Sequence, residues 1–117
     1  MIHVPIVTSE LVTKQVLKEW LLSLPDSRWD DSDPSVETGF VTIDGCWLMI
    51  SGDTELNPYY ESEEIAALEQ ALTAPPKSSL EIIHRGSNVT FQKAAHKMAQ
   101  LMTAKWSGVL ADEVIGH

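Results

Sequence analysis

The fold is decided by residues 80–113, which read LEIIHRGSNVTFQKAAHKMAQLMTAKWSGVLADE. The stretch opens with an apolar run that predicts a buried strand, turns at residues 85–88, and closes at residues 108–111 with a second predicted strand. Between them residues 89–105 predict a long helix, whose first turn Ser87 or Asn88 can cap. Its apolar residues recur at the spacing of one helix face: Phe91, Ala94, Ala95, Met98, Leu101 and Met102. The stretch therefore predicts a strand–helix–strand unit.

A second stretch, residues 39–51, predicts a β-hairpin. Its centre is Asp44-Gly45, which supplies the positive φ angles that a two-residue type I′ turn requires. This turn would pair Ile43 with Cys46, and Val41 with Leu48. Because the run after the turn has almost no polar interruption, we expect residues 46–50 to form a central strand covered on both faces.

The remaining elements follow from periodicity and from turn residues. Residues 2–7 predict a short strand, which Pro5 restricts to an edge position or to no strand at all. Helices are predicted at residues 10–24 and 63–72, where apolar positions follow a helical period. Two loops separate these elements: residues 26–37 and 53–60.

The order of elements predicts an α+β fold in a single domain, residues 1–117. A chain of 117 residues fits one domain with its own hydrophobic core. Strands and helices interleave, which favours a two-layer sandwich. We expect a mixed sheet of four to five strands, with two to three helices packed on it.

The net charge of −9 bounds the class of partner. It disfavours direct binding of nucleic acid or of an anionic membrane, because both require a basic surface. It favours a basic protein partner, since complementary potentials speed association. The charge is also uneven: residues 10–69 carry a net charge of −11 and residues 70–117 a net charge of +2. An acidic surface that serves solubility alone is the alternative reading.

Candidates for catalytic or metal-binding chemistry are few. Five side chains offer metal-ligand atoms: His3, His84, His96, His117 and Cys46. Their spacing does not match a zinc site. Cys46 begins an apolar strand, where a small buried residue is favoured over a reactive thiol. Neighbouring acids such as Asp30 and Asp31 point to different sides of an element. We therefore predict no enzyme activity, no metal and no cofactor.

Two acidic loops that carry aromatic side chains point to protein recognition instead. Aromatic anchors inside a charged rim supply much of the binding energy of protein interfaces. The alternative is that these aromatic residues pack on the core, and a Trp in a loop often does so. We predict that the partner-binding site consists of eight residues: Trp29, Asp30, Asp31, Asp33, Asp53, Glu55, Tyr59 and Tyr60.

The chain resembles bacterial immunity proteins in its size, its acidity, the hairpin of residues 39–51, and the closing pattern of residues 94–113, where a helix leads into GVLADE. These proteins are the antidotes encoded beside polymorphic toxins, including those of contact-dependent growth inhibition. The resemblance implies a tight complex with the C-terminal domain of a cognate toxin, whose active site or substrate-binding surface is blocked. A nuclease with a basic cleft suits a partner of charge −9. The free protein would be a monomer.

Two other readings stay open. Acidic secretion chaperones of type III systems are also small α/β proteins, and they usually dimerise and bind an unfolded effector segment. An enzyme without a recognisable motif would reveal itself by a pocket with converging carboxylates or histidines. In each case the single cysteine, Cys46, and the lack of a secretory signal at residues 1–10 predict a cytoplasmic protein.

Overall fold

A computed structural model describes residues 1–35, 37–56 and 58–116. The strands in this part of the chain are Ile2–Thr8 (β1), Ser27–Asp30 (β2), Thr38–Ile43 (β3), Cys46–Asp53 (β4), Ser78–His84 (β5) and Val109–Leu110 (β6). The helices are Lys14–Leu22 (α1), Ser62–Leu72 (α2), Val89–Trp106 (α3) and Ala111–Ile115 (α4). Within the same residues no helix is long and apolar enough to cross a membrane.

The strands form one sheet in the order β2-β3-β4-β5-β1-β6, and each pair of neighbours is antiparallel. The α+β class is confirmed, but the predicted mixed sheet of four to five strands with two to three helices is wrong. One added strand is β2, which lies inside the predicted loop at residues 26–37 and takes its hydrogen bonds from β3. The added helix is α4, which begins at Ala111, where we expected the end of a strand.

The hairpin and the central strand agree with the sequence. Asp44 and Gly45 have φ angles of 51° and 76°, as the predicted type I′ turn requires. Ile43 pairs with Cys46, and Val41 with Leu48. The strand β4 is third of the six and pairs with β3 and β5, so its predicted position at or near the centre of the sheet is confirmed.

Helices α1 and α3 pack on one side of the sheet, which we call the covered face. Alternate strand residues point into it, and their side chains have no exposed surface: Ile6, Leu48, Ile50, Leu80 and Ile82. Together with α1 and α3 they form the main hydrophobic core. The expectation that residues 46–50 are covered on both faces is wrong, because Trp47 points to the other side and keeps 41% of its surface exposed.

Helices α2 and α4 lie over only the β1–β6 end of that other side, so the molecule is not a simple two-layer sandwich. Val7 of β1 is apolar and points to this side, where it forms a second, smaller cluster with Leu68 of α2 and Ala111 of α4. The area that these two helices leave free, mainly on β2 to β5, is the open face.

Strand β1 is internal, whereas Pro5 predicted an edge or no strand. β1 pairs along its whole length with β5, but β6 reaches only Ile6 and Val7. Pro5 therefore lies just beyond the end of β6, so its missing amide hydrogen removes no bond to that strand.

Candidate protein-binding site

The open face has an apolar row beside a polar one. The apolar row runs in register across β3, β4 and β5 through Phe40, Met49 and Ile83. Arg28 of β2 continues it at one end and His3 of β1 at the other. The neighbouring row contains the paired Asp30 and Thr38 at the β2 end, and Ser51, Glu81 and Pro5 further along. His3 Nδ1 and a carboxylate oxygen of Glu81 are in hydrogen-bond contact, which joins the two rows. One face thus offers both an apolar and an acidic surface.

A trough of 590 Å³ occupies the polar part of the open face. Carboxylates line it from three segments of the chain: Glu37 before β3, Asp53 at the end of β4 and Glu81 in β5. Its floor includes Met49 and Ile83, and the cationic group of its lining is Lys14. The trough therefore has an excess of negative charge over an apolar floor.

Both predicted acidic loops reach this trough. Glu37 of the first loop lines it together with Asp53, Tyr59 and Tyr60 of the second loop. The structure thus brings three of the eight predicted partner-binding residues into one concave site. Glu55 is exposed beside them, and its backbone N–H donates to Asp53 Oδ1 at 2.9 Å.

The two tyrosines hold their hydroxyl groups in defined places. Tyr59 Oη donates to Asp53 Oδ2 at 3.1 Å, and this bond raises the pKa of Tyr59 above its ordinary value. Burial raises the pKa of the half-buried Tyr60. Both phenols are therefore neutral at physiological pH, and both aromatic rings line the trough.

The first acidic loop is ordered by its own carboxylates. Asp30 Oδ1 accepts hydrogen bonds from the backbone N–H of Ser32 at 3.1 Å and from its hydroxyl at 2.7 Å. Asp33 makes the same pair of contacts to Ser35, at 3.0 and 2.7 Å. These bonds hold the pKa of each aspartate below its ordinary value. Both exposed carboxylates therefore stay ionised and fixed in position.

Two members of the predicted set lie away from the open face. Asp31 forms an ion pair with Lys18 of α1 at 3.5 Å. Trp29 alternates with Asp30 along β2 and packs against the main core, close to Leu21 and Gly39. Its Nε1 atom is buried without a hydrogen-bond partner among the described residues. This position agrees with the alternative prediction, in which Trp29 folds back onto the core.

Beside the trough lies a group of residues that the sequence analysis did not select, which we call the aromatic platform: Arg28, Phe40, Trp47, Met49 and Ile83. Phe40 and Trp47 stack with ring centroids 4.7 Å apart and planes inclined by 14°. The guanidinium carbon of Arg28 lies 4.5 Å from the centre of the Phe40 ring. One sequence signal could have revealed this platform. Glu81 lies inside the apolar strand LEIIH, and an acid among alternating apolar residues of a strand indicates that one face of the sheet is not covered.

The residues that could have supported metal or nucleophilic chemistry are dispersed. Over the described residues, no three His, Cys, Asp or Glu side chains lie together as a metal would require. His84 is buried, with its Nδ1 atom 2.7 Å from the carbonyl oxygen of Gly86, and Cys46 is buried as well. His96 is exposed on α3, and His117 lies outside the described residues.

Comparison with known proteins leaves the family open. No protein-family model matches the chain. No match was found among curated proteins or among solved structures.

Proposed function

We propose that this protein is an immunity protein, a cytoplasmic antitoxin that binds the C-terminal domain of a cognate toxin through the open face of its sheet. The observation that carries the proposal is the acidic trough on the part of the sheet that α2 and α4 leave free. Glu37, Asp53 and Glu81 line this trough around an apolar floor, which is the composition of a protein interface with a basic partner.

The charge distribution supports a nuclease as the toxin. A nuclease needs a cationic cleft for phosphate groups, and carboxylates held at fixed positions can occupy the same cleft. Asp30 and Asp33 are held in this way by Ser32 and Ser35. Inhibition is then steric and electrostatic, and the antitoxin performs no chemical step of its own.

The experiment is coexpression with the toxin domain encoded beside this gene, followed by binding kinetics on the purified pair. We expect the wild-type protein to protect cells and to form a complex. Glu81→Gln combined with Asp53→Asn should weaken binding about tenfold or more, because two charges facing a cationic surface are removed. Glu10→Gln combined with Glu19→Gln is the matched control, since both are exposed acids outside the lining of the trough.

Failure of the wild-type protein to bind or protect would contradict the proposal. Binding that is equally sensitive to the control pair, Glu10→Gln with Glu19→Gln, would contradict the assignment of the trough.

An apolar groove favours a second candidate, the acidic secretion chaperone. Leu24, Ile43 and Leu101 line this groove of 460 Å³ between α3 and the end of α1, and an unfolded effector segment could bind there. Light scattering separates the two candidates, because a chaperone of this class should be a dimer alone and the immunity protein a monomer.

A further inference from the structure

We infer that the aromatic platform is the anchor of the same interface, and that it selects a partner surface on which an apolar side chain lies at a set distance from a lysine or arginine. The inference rests on the proposed function, and it adds the chemistry and the orientation of the partner. It is carried by the exposed ring of Trp47, which stacks on the buried Phe40 near the start of β4.

The platform is ordered before any partner binds. Trp47 pairs with Thr42 of β3 and stacks on Phe40, and the guanidinium group of Arg28 lies over the Phe40 ring. Rings fixed in this way lose little conformational entropy on binding. Exposed Trp in a well-packed setting is the residue type that most often dominates an interface.

A cavity beside Trp47 sets the size of the partner group. It has a volume of 150 Å³ and is lined by Met1, Met49, Ile83 and Phe91 among others. A cavity of this size has room for one benzene-sized group. The geometry therefore fits a single apolar side chain, such as Leu, Met or Phe, packed against the indole of Trp47.

One strand connects the platform to the trough and fixes the direction of the partner. On β4 the side chains that point to the open face change from apolar to polar, through Trp47, Met49, Ser51 and Asp53. Trp47 and Asp53 are separated by roughly 20 Å at the rise of an antiparallel strand. The partner must therefore present its apolar side chain and its basic group about that far apart, in the same order.

The charges of the open face select a basic protein over other occupants. Aromatic residues on a sheet can stack nucleic-acid bases, but Glu81 and Asp53 would repel the phosphates that accompany them. In a symmetric pair of two copies the trough of each copy would bring like charges together. A protein surface with one apolar anchor and neighbouring cations satisfies both halves of the open face.

The test uses the full chain and the toxin domain encoded beside its gene. Trp47→Ala should raise the dissociation rate constant about thirtyfold or more, while its association rate stays within about twofold. Asp53→Asn should instead act mainly on association, by lowering the association rate constant. Leu22→Ala is the matched control, because Leu22 is a comparably exposed apolar residue, with 47% of its surface accessible, at the end of α1.

A second measurement does not depend on substitution. The indole N–H signal of Trp47, assigned with Trp47→Phe, should shift and become protected from solvent exchange when the toxin domain is added to the wild-type protein. The signals of Trp20 and Trp106, which pack against each other between α1 and α3, should stay unchanged.

The outcomes separate the two proposals. If the wild-type protein binds the toxin domain but Trp47→Ala dissociates no faster than Leu22→Ala, or the Trp47 signal does not respond, the platform is overturned and the proposed function stands. If the wild-type protein neither binds nor protects, both are overturned.

Discussion

The two sides of β4 are built by the same eight residues, yet they differ in what covers them. Leu48 and Ile50 point to the covered face and have no exposed surface, whereas 41% of the surface of Trp47 is accessible on the open face. Apolar side chains on the covered face are held by α1 and α3. On the open face, Trp47 stacks on Phe40 of the neighbouring strand β3. The difference teaches that the apolar content of a strand does not decide whether it serves stability or recognition.

The largest expected effect contrasts adjacent residues of β4. Leu48→Ala should lower the free energy of unfolding by about 2–5 kcal/mol, as buried leucine truncations do. Met49→Ala, on the open face, should lower it by about 1 kcal/mol. Denaturant unfolding measures both values, and hydrogen exchange should show β4 amides that are slower than those of the loops. Equal losses would mean that the open face is part of the core.

Two tryptophans on opposite faces sharpen the same contrast. Trp29→Ala should lower the free energy of unfolding by about 2–4 kcal/mol, because it leaves a cavity in the core beside Leu21. Trp47→Ala should lower it by about 1 kcal/mol or less and act on toxin binding instead. Thermal unfolding and dissociation kinetics on the same two variants check this, and a stable Trp29→Ala that binds poorly would reverse the assignment.

An added methyl group should also distinguish the faces. A Cβ atom at Gly39 would collide with Leu21 and approach the Trp29 ring to 3.0 Å, so Gly39→Ala should lower the free energy of unfolding by about 1–3 kcal/mol. Ser51→Thr adds a methyl group beside the open trough and should change it by about 0.5 kcal/mol or less. Unfolding curves of the two variants, measured side by side, provide the comparison.

The acidic loop should influence how fast the partner arrives. Neutralising Asp30 and Asp33 together should slow association with the toxin domain roughly tenfold at low salt, and the difference should fade near physiological ionic strength as screening increases. Adding Asp31→Asn should slow association less than either of the other two changes, because its carboxylate lies away from the open face, beside Lys18 of α1. The control is Glu10→Gln with Glu19→Gln, two exposed acids outside the trough. Stopped-flow traces over a salt series would contradict the proposal if all variants behaved alike.

The smallest effect concerns proton binding in that loop. Ser32→Ala should raise the pKa of Asp30 toward its ordinary value and leave that of Asp33 unchanged, because Ser32 donates to Asp30 and Ser35 to Asp33. Carboxyl carbon chemical shifts over a pH titration measure both. A depressed folded-state pKa contributes stability above the pKa of the unfolded chain, and this contribution is lost as the pH falls through the folded value. The loop should therefore loosen only in acid.

Local chemistry made part of the fold predictable. The turn at Asp44-Gly45 and the long helix α3 depend on neighbouring residues, so their sequence signals were sufficient. Strand β2 was missed because its four residues are polar or aromatic and take their hydrogen bonds from β3. The position of β1 between β5 and β6 depends on contacts across most of the chain, which no local pattern encodes.

The candidate site was predictable only in the parts that loops supply. Acidic and aromatic composition selected Asp53, Tyr59 and Tyr60, which the trough brings together. The sequence did not predict the aromatic platform, because Trp47 and Met49 lie in an apolar run that is typical of core residues. Their exposure depends on where the helices pack. Trp29 is the opposite case. Its neighbours in the sequence are acidic, but the alternation of side chains along β2 points its ring into the core.

The placement of β1 also governs how the protein can assemble during translation. Thr8 pairs with Ser78 and Ile2 with His84, so the first strand must wait until most of the chain has been made. At ordinary rates of synthesis this delay is on the order of ten seconds, and such non-local pairing is intrinsically slow. Throughout that time the apolar segment IHVPIV has no partner strand. Pro5, which lacks an amide hydrogen, then makes the nascent segment a poor template for pairing with other chains.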